Sequence, residues 1–133
     1  MDEILRFLKE GAMGAFATVD GDKPDVRPWQ FQFAQDGRLY FCTGNNKEVY
    51  RQMQKNPYIA FTTTTDDFMT VRIYGKAVFT DDRTIKEKIL ATQPGIKNIY
   101  QSSDNPVFEI FYLEEGEAVI SDFSGNPPRR IKF

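Results

Sequence analysis

The sequence predicts a mainly β (α+β) protein, a six- to seven-stranded antiparallel barrel carrying short flanking helices. Three observations lead there. Short runs rich in Val, Ile, Phe, Tyr and Thr recur along the chain. Turn signals separate them at close spacing, as in Asp20-Gly21-Asp22 and Gln35-Asp36-Gly37. Gly75 lies inside one such run and suggests the bulge or bend that a barrel needs.

Taken in order, Asp2 to Glu10 reads as a helix that Asp2 can cap, with Ile4, Leu5, Phe7 and Leu8 as its apolar stripe and Gly11 as its left-handed stop. Ala12 to Val19 reads as the first strand. Asp25 to Phe33 reads as the second, and Pro28 within it marks an edge, a bulge or an interrupted ladder. Arg38 to Thr43 follows, with Leu39 and Phe41 alternating against Tyr40 and Cys42. Gly44-Asn45-Asn46 then breaks the strand and opens a helix over Lys47 to Lys55. Strands are expected at Tyr58–Thr64 and Thr70–Thr80, and Asp81 or Asp82 can cap a helix over Arg83 to Thr92. Ile96 to Tyr100 adds a further helical turn. Val107–Leu113 and Ala118–Phe123 complete the strands, joined at a solvated turn around Glu114, Glu115 and Glu117, before a short tail at Arg129–Phe133.

Composition limits what such a barrel can do. With 133 residues the chain suits one domain, 1–133, around one core, and its 12 phenylalanines supply ample apolar surface. The balance of 17 basic and 19 acidic residues argues against a nucleic-acid module, which needs a dense basic face. No apolar run approaches the roughly 18 residues that span a bilayer. One cysteine, Cys42, excludes an intramolecular disulfide and suits a reducing compartment, so a cytoplasmic location is expected. The absence of histidine removes Ser–His–Asp and Cys–His catalysis and the common zinc sites. No metal site is expected, and any chemistry points to a bound cofactor.

The segment Arg27 to Lys47 is the most informative. It puts a basic residue on a strand, a threonine at the next strand's end, and Asn46 and Lys47 at a helix start. Helix N-termini carry unpaired N–H groups and partial positive charge, so a phosphate binds there readily, and Arg27 on the neighbouring strand would close a two-sided clamp. The plain alternative makes Lys47 a solvated helix residue, Arg27 a surface charge and Asn45 or Asn46 an N-cap. From spacing alone both readings stand. Trp29 divides evenly between core and ligand stacking. Thr62–Thr65 reads as strand propensity, Arg129-Arg130 as a solvated tail, and Phe108, Phe111 and Phe123 as core or dimer face.

The run Val26-Arg27-Pro28-Trp29-Gln30-Phe31, then Leu39-Tyr40-Phe41-Cys42-Thr43, Asn46-Lys47, Asn56-Pro57 and Val71-Arg72-Ile73-Tyr74-Gly75-Lys76-Ala77 resembles the pyridoxamine 5′-phosphate oxidase-like superfamily. The resemblance covers nearly the whole chain and implies an FMN-binding split β-barrel. It implies that Arg27 and Lys47 hold the FMN phosphate with Thr43 and Asn46. Pro28, Trp29 and Gln30 would run beside the isoalloxazine, Cys42 would pack against it, and Thr70 would reach it from a second subunit. A homodimer with FMN at the subunit interface follows, working as an oxidoreductase on a small organic molecule, with NAD(P)H as a transient donor. Gln32 stands where the oxidase has a lysine, and the oxidase's long C-terminus is replaced by Ser124–Phe133. The short length and Asp122-Phe123-Ser124-Gly125 resemble the small nitroimidazole-reductase-like branch instead. The alternatives are a flavin carrier or sensor without its own substrate, and a split barrel for another ligand such as a deazaflavin or haem.

Overall fold

The structure, a computed structural model, describes residues 1–133. Eight strands form one antiparallel sheet: β1 (Met13–Asp20), β2 (Lys23–Gln30), β3 (Phe33–Gln35), β4 (Arg38–Gly44), β5 (Tyr58–Thr64), β6 (Thr70–Thr80), β7 (Phe108–Ser121) and β8 (Arg129–Lys132). Four helices flank it: α1 (Asp2–Leu5), α2 (Glu48–Lys55), α3 (Arg83–Thr92) and α4 (Pro94–Tyr100). The spatial order is β2-β1-β5-β6-β7-β4-β3, with β8 added to β7. β2 and β3 stand at opposite ends of this path, yet only Phe31 and Gln32 separate them in the chain. The ladder is therefore not closed by hydrogen bonds. One extended segment, pairing with β1 through its first half and with β4 through its second, brings the two edges together. This is the split barrel.

The expected second strand, Asp25 to Phe33, is thus two strands, interrupted at Phe31 and Gln32, while the pairing of β2 with β1 runs on through Pro28 to Gln30. Pro28 sits on an edge strand of the path, where a missing N–H is tolerated. The two strands expected at Val107–Leu113 and Ala118–Phe123 are one, β7, which pairs with β6 along nearly its full length. The register shifts between Tyr74 and Lys76, at Gly75, where a Cβ would stand 3.1 Å from Cβ of Leu113. This bulge absorbs the residues read as a turn at Glu114–Glu117. The tail is also a strand: β8 pairs with Glu117–Ile120, Phe133 exchanges backbone bonds with Gly116, and Arg130 pairs with Glu117 at 2.8 Å. Helix α1 stops at Leu5 without a side-chain cap from Asp2, while Gly11 is left-handed at φ +76° as expected. Helix α3 matches its expected span, and Asp82 caps it by accepting from the N–H groups of Thr84 and Ile85.

Two apolar clusters hold the barrel. The inner one joins Phe16, Phe31, Phe41, Phe61 and Phe111 with Val49 and Met53 from α2 and Ile4 and Leu8 from the N-terminal segment. The outer one packs Phe33, Tyr40, Phe108, Ile110 and Tyr112 under Ile85, Ile89 and Leu90 of α3 and Tyr100 of α4. β4 and β7 therefore bury both faces, Phe41 and Phe111 inward, Tyr40 and Tyr112 outward. Each fully buried Phe contributes roughly 2–3 kcal/mol, so this double burial adds substantially to stability. Phe123 is not a core residue: it is 75% exposed and touches Phe68. No helix is long and apolar enough to cross a membrane.

Candidate ligand cavity

The β4–α2 junction sets the site. β4 pairs Thr43 with Glu109 of β7, and Gly44 ends the strand. A Cβ on Gly44 would stand 2.8 Å from Asn46 Oδ1 and 3.0 Å from the Tyr100 hydroxyl, so a side chain here would have to displace the ends of both. Asn45 secures the turn: its amide donates to Pro106 O at 2.7 Å and to Glu109 Oε2 at 2.9 Å. Lys47 is the N-cap of α2, and no side chain caps the free N–H groups of its first turn.

Beside this junction lies an open cavity of about 240 Å3. β2 and the link after it supply Pro28, Trp29, Gln30 and Gln32; β4 supplies Cys42 and Thr43; Lys47 stands at its rim. Met13 of β1 and Ile96, Ile99 and Tyr100 of α4 complete the wall. Trp29 serves both core and cavity. Its ring stacks on Phe16 at 4.9 Å, and Lys47 Nζ lies 5.9 Å from its centroid.

The polar atoms of this wall are unusual. Gln32 and Thr43 are each 2% exposed, yet Gln32 Oε1 and Thr43 Oγ1 have no hydrogen-bond partner. They are the buried side-chain polar atoms left unpaired in the molecule, and both belong to residues of this cavity. An unmet buried group costs about 1–3 kcal/mol, so a native chain keeps two in one place for a reason. Burial pushes the Cys42 thiol up to about 12, against the pull of Lys47, so Cys42 stays a neutral packing group.

A larger groove of about 430 Å3 lies between the β1–β2 turn and α2, lined by Asp20, Glu48, Arg51 and Lys55. Gln52, its buried polar residue, is fully bonded, to Thr18, Arg27 and Asp25. Size alone does not make it a site.

Of the residues expected from sequence, Pro28, Trp29, Gln30, Cys42, Thr43 and Lys47 come together. Asn46 is exposed and does not line the cavity, and Thr70 opens β6 opposite Thr64 and Ser121. The two-sided clamp is not formed. Arg27 Nη1 donates to Phe16 O and Thr18 Oγ1, and Nη2 donates to Asp25 Oδ2 and Gln52 Oε1. The guanidinium is spent on an internal network because Asp25, two residues away on the same strand face, neutralises it at 2.9 Å. Sequence reasoning missed Met13, Gln32, Ile96, Ile99 and Tyr100. The spacing of Ile96, Ile99 and Tyr100 carries one helix face and was the available signal.

A family model described as pyridoxamine 5′-phosphate oxidase matches residues 1–118. No curated protein matches the chain in sequence. Among solved structures, a NimC/NimA family protein from Clostridium acetobutylicum is 32% identical, with the alignment covering 100% of this chain and 93% of that one at a TM-score of 0.89. General Stress Protein 26 from Bacillus anthracis is 19% identical, covering 99% and 97%, at 0.81. A FAD-binding protein from Mesorhizobium loti is 14% identical, covering 90% and 94%, at 0.64. On the family match, the full-length likeness and the split barrel itself, this chain belongs to the pyridoxamine 5′-phosphate oxidase family.

Proposed function

We propose that the chain is an FMN-binding flavoprotein that carries out two-electron oxidation or reduction of a small organic molecule as a homodimer. The observation that carries this reading is the pair of orphaned buried atoms, Gln32 Oε1 and Thr43 Oγ1, at one cavity beside an uncapped helix start. The donor set fits the cofactor. Lys47 and the first-turn N–H groups of α2 suit a phosphate. Thr43 offers a hydroxyl, and Gln32 Oε1 accepts from a ring N–H. Trp29 and Pro28 give a flat apolar wall, and Cys42 a small neutral one.

Bound flavin would supply the electron chemistry, and these residues bind it, orient it and keep water from one side. No carboxylate or imidazole lines the cavity, so proton exchange at the site falls to hydroxyls or solvent. No G-x-G-x-x-G fingerprint occurs, which suits a nicotinamide donor that visits and leaves. The single cysteine suits the cytoplasm as the working compartment.

The cavity also supports the dimer. At about 240 Å3 it falls short of the ~300–1,000 Å3 usual for cofactor pockets. Its Met13, Pro28 and Gln30 belong to an outward face whose pairs run Met13–Gln30, Ala15–Pro28, Ala17–Val26. That face continues, through Ala15, Ala17 and Val26, into a shallow apolar patch with Ala60 and Tyr74. A second copy seated there by a twofold axis would wall the cavity from outside.

The test is the visible spectrum and the light-scattering mass of protein mixed with FMN and desalted. The expected result is a dimer that keeps its flavin absorbance, with Lys47→Ala losing ~10-fold or more in affinity. Retained flavin without turnover of NAD(P)H and small acceptors would point to a carrier or sensor. A colourless wild-type protein would sink the flavoprotein reading.

A further inference from the structure

With Arg27 committed elsewhere, the phosphate end of the site has Lys47 and the α2 start but lacks a second side chain facing it from the opposite wall. α4 supplies one. Tyr100 ends that helix, is 6% exposed, and lines the cavity. Its ring is fixed by stacking on Phe108, with centroids 4.7 Å apart and planes at 23°. Its carbonyl accepts from the Asn105 amide at 2.9 Å, and Gln101 after it turns the chain through φ +69°. The hydroxyl makes no hydrogen bond within the chain, although its carbonyl and the neighbouring polar groups do. Although the residue is buried, its hydroxyl is not among the enclosed unpaired atoms; it is accessible, and the residue lines the open cavity.

The position of that hydroxyl decides what the partner is. It stands beside Gly44 and Asn46, the residues that lead into Lys47 and the first turn of α2. We infer that Tyr100 is a cofactor-binding residue whose hydroxyl donates to the phosphate of the bound flavin, in the place that sequence resemblance gives to Arg27. The assignment rests on the FMN reading above. Burial pushes the phenol up to about 12, so it remains a donor across the neutral and alkaline range. Gly44 then has a second purpose: a side chain there would press on the Tyr100 hydroxyl at 3.0 Å.

The experiment compares FMN with riboflavin, which lacks the phosphate, by fluorescence titration of wild type and Tyr100→Phe. The variant keeps the ring and its stack on Phe108, and the melting temperature of the flavin-free protein checks that it does. The expected result is FMN binding weakened ~10- to 100-fold, the worth of one hydrogen bond to a charged group, with riboflavin binding unchanged. Gly44→Ala supplies an independent variant. It should also weaken FMN selectively, and should add little in a Tyr100→Phe background because both act on one hydroxyl. Unchanged FMN affinity in Tyr100→Phe overturns the assignment, as does an equal loss for both flavins, which would put the hydroxyl against another part of the molecule. A wild type that binds neither flavin overturns the FMN reading and the assignment with it.

Discussion

Two polar regions draw on β2 and the link after it, one through Asp25 and Arg27 and the other through Gln32, and they are built in opposite ways. On one side Arg27, Asp25, Thr18 and Gln52 form a closed network. Arg27 donates to three side chains and to Phe16 O, Thr18 donates to Gln52, and Gln52 Nε2 donates to Asp25 at 3.0 Å. On the other side Gln32 Oε1 and Thr43 Oγ1 are buried as deeply as the network's Thr18 and Gln52, with nothing to bond. The contrast separates structure from function by physics alone. A buried polar cluster that satisfies itself needs no ligand, whereas one that leaves atoms unpaired is stable only by a margin that a ligand restores. Arginine at this position reads as a binding residue in sequence, and in this structure its donors are taken up within the chain.

Removing Arg27 breaks this comparison most forcefully. Arg27→Ala strips four hydrogen bonds and leaves Asp25 without its countercharge. The expected loss is about 2–3 kcal/mol, below the ~3–5 kcal/mol of a fully buried pair because the Asp25 side chain is 44% exposed. Urea unfolding measures it. The folded fraction should keep its FMN affinity, since the guanidinium does not line the cavity. A variant that is fully stable yet binds no flavin would mean that Arg27 swings to the phosphate, and the two regions would be one site.

The cavity side should respond with the opposite sign. Thr43→Val keeps shape and removes an orphaned hydroxyl, so the flavin-free protein should gain roughly 1 kcal/mol while FMN binding weakens. A stability loss at this position would show that Thr43 has a partner within the chain.

Much of this arrangement was legible before any coordinates. The alternation of Leu39 and Phe41 against Tyr40 and Cys42 holds in the fold, and Gly75 marks a bulge because a glycine inside a strand has few other reasons to be there. The Arg27–Lys47 segment is legible because β2, β4 and α2 are local in sequence. What escaped depends on pairing at long range. Glu114–Glu117 looks like a turn until β6 runs beside it and the bulge takes up the slack. The Arg129–Lys132 strand exists only because β7 offers an edge. Phe123 looks like core by type, and no local signal says that the strand ends at Ser121. Tyr100 is more than fifty residues from Thr43 and meets it only through the docking of α4. The internal bonding of Arg27 escaped for a subtler reason. Its neutralising partner is two residues away in plain sight, but the pattern that names a phosphate ligand does not count the acids beside it.

The smallest expected effect concerns that partner. The amide of Gln52, and then the charge of Arg27, hold the Asp25 carboxyl below the usual carboxylate range, against a desolvation effect that opposes them. The unfolded chain therefore takes up a proton at Asp25 before the folded chain does. The network's contribution is complete above about pH 4, where Asp25 is ionised in both states, and is lost as acidification approaches the lowered folded value. Asp25→Asn should melt below wild type near neutrality, and the gap should narrow on acidification below about pH 4. Asp104, held down by Arg83, and Asp122, held down by Ser124, weaken both proteins alike in acid and cancel in the difference. No carboxylate lines the cavity, so Thr43→Val should run parallel to wild type over the same range. A gap for Asp25→Asn that stays constant with pH would show that the carboxylate is not what binds the network, and that Thr18 and Gln52 hold Arg27 without it.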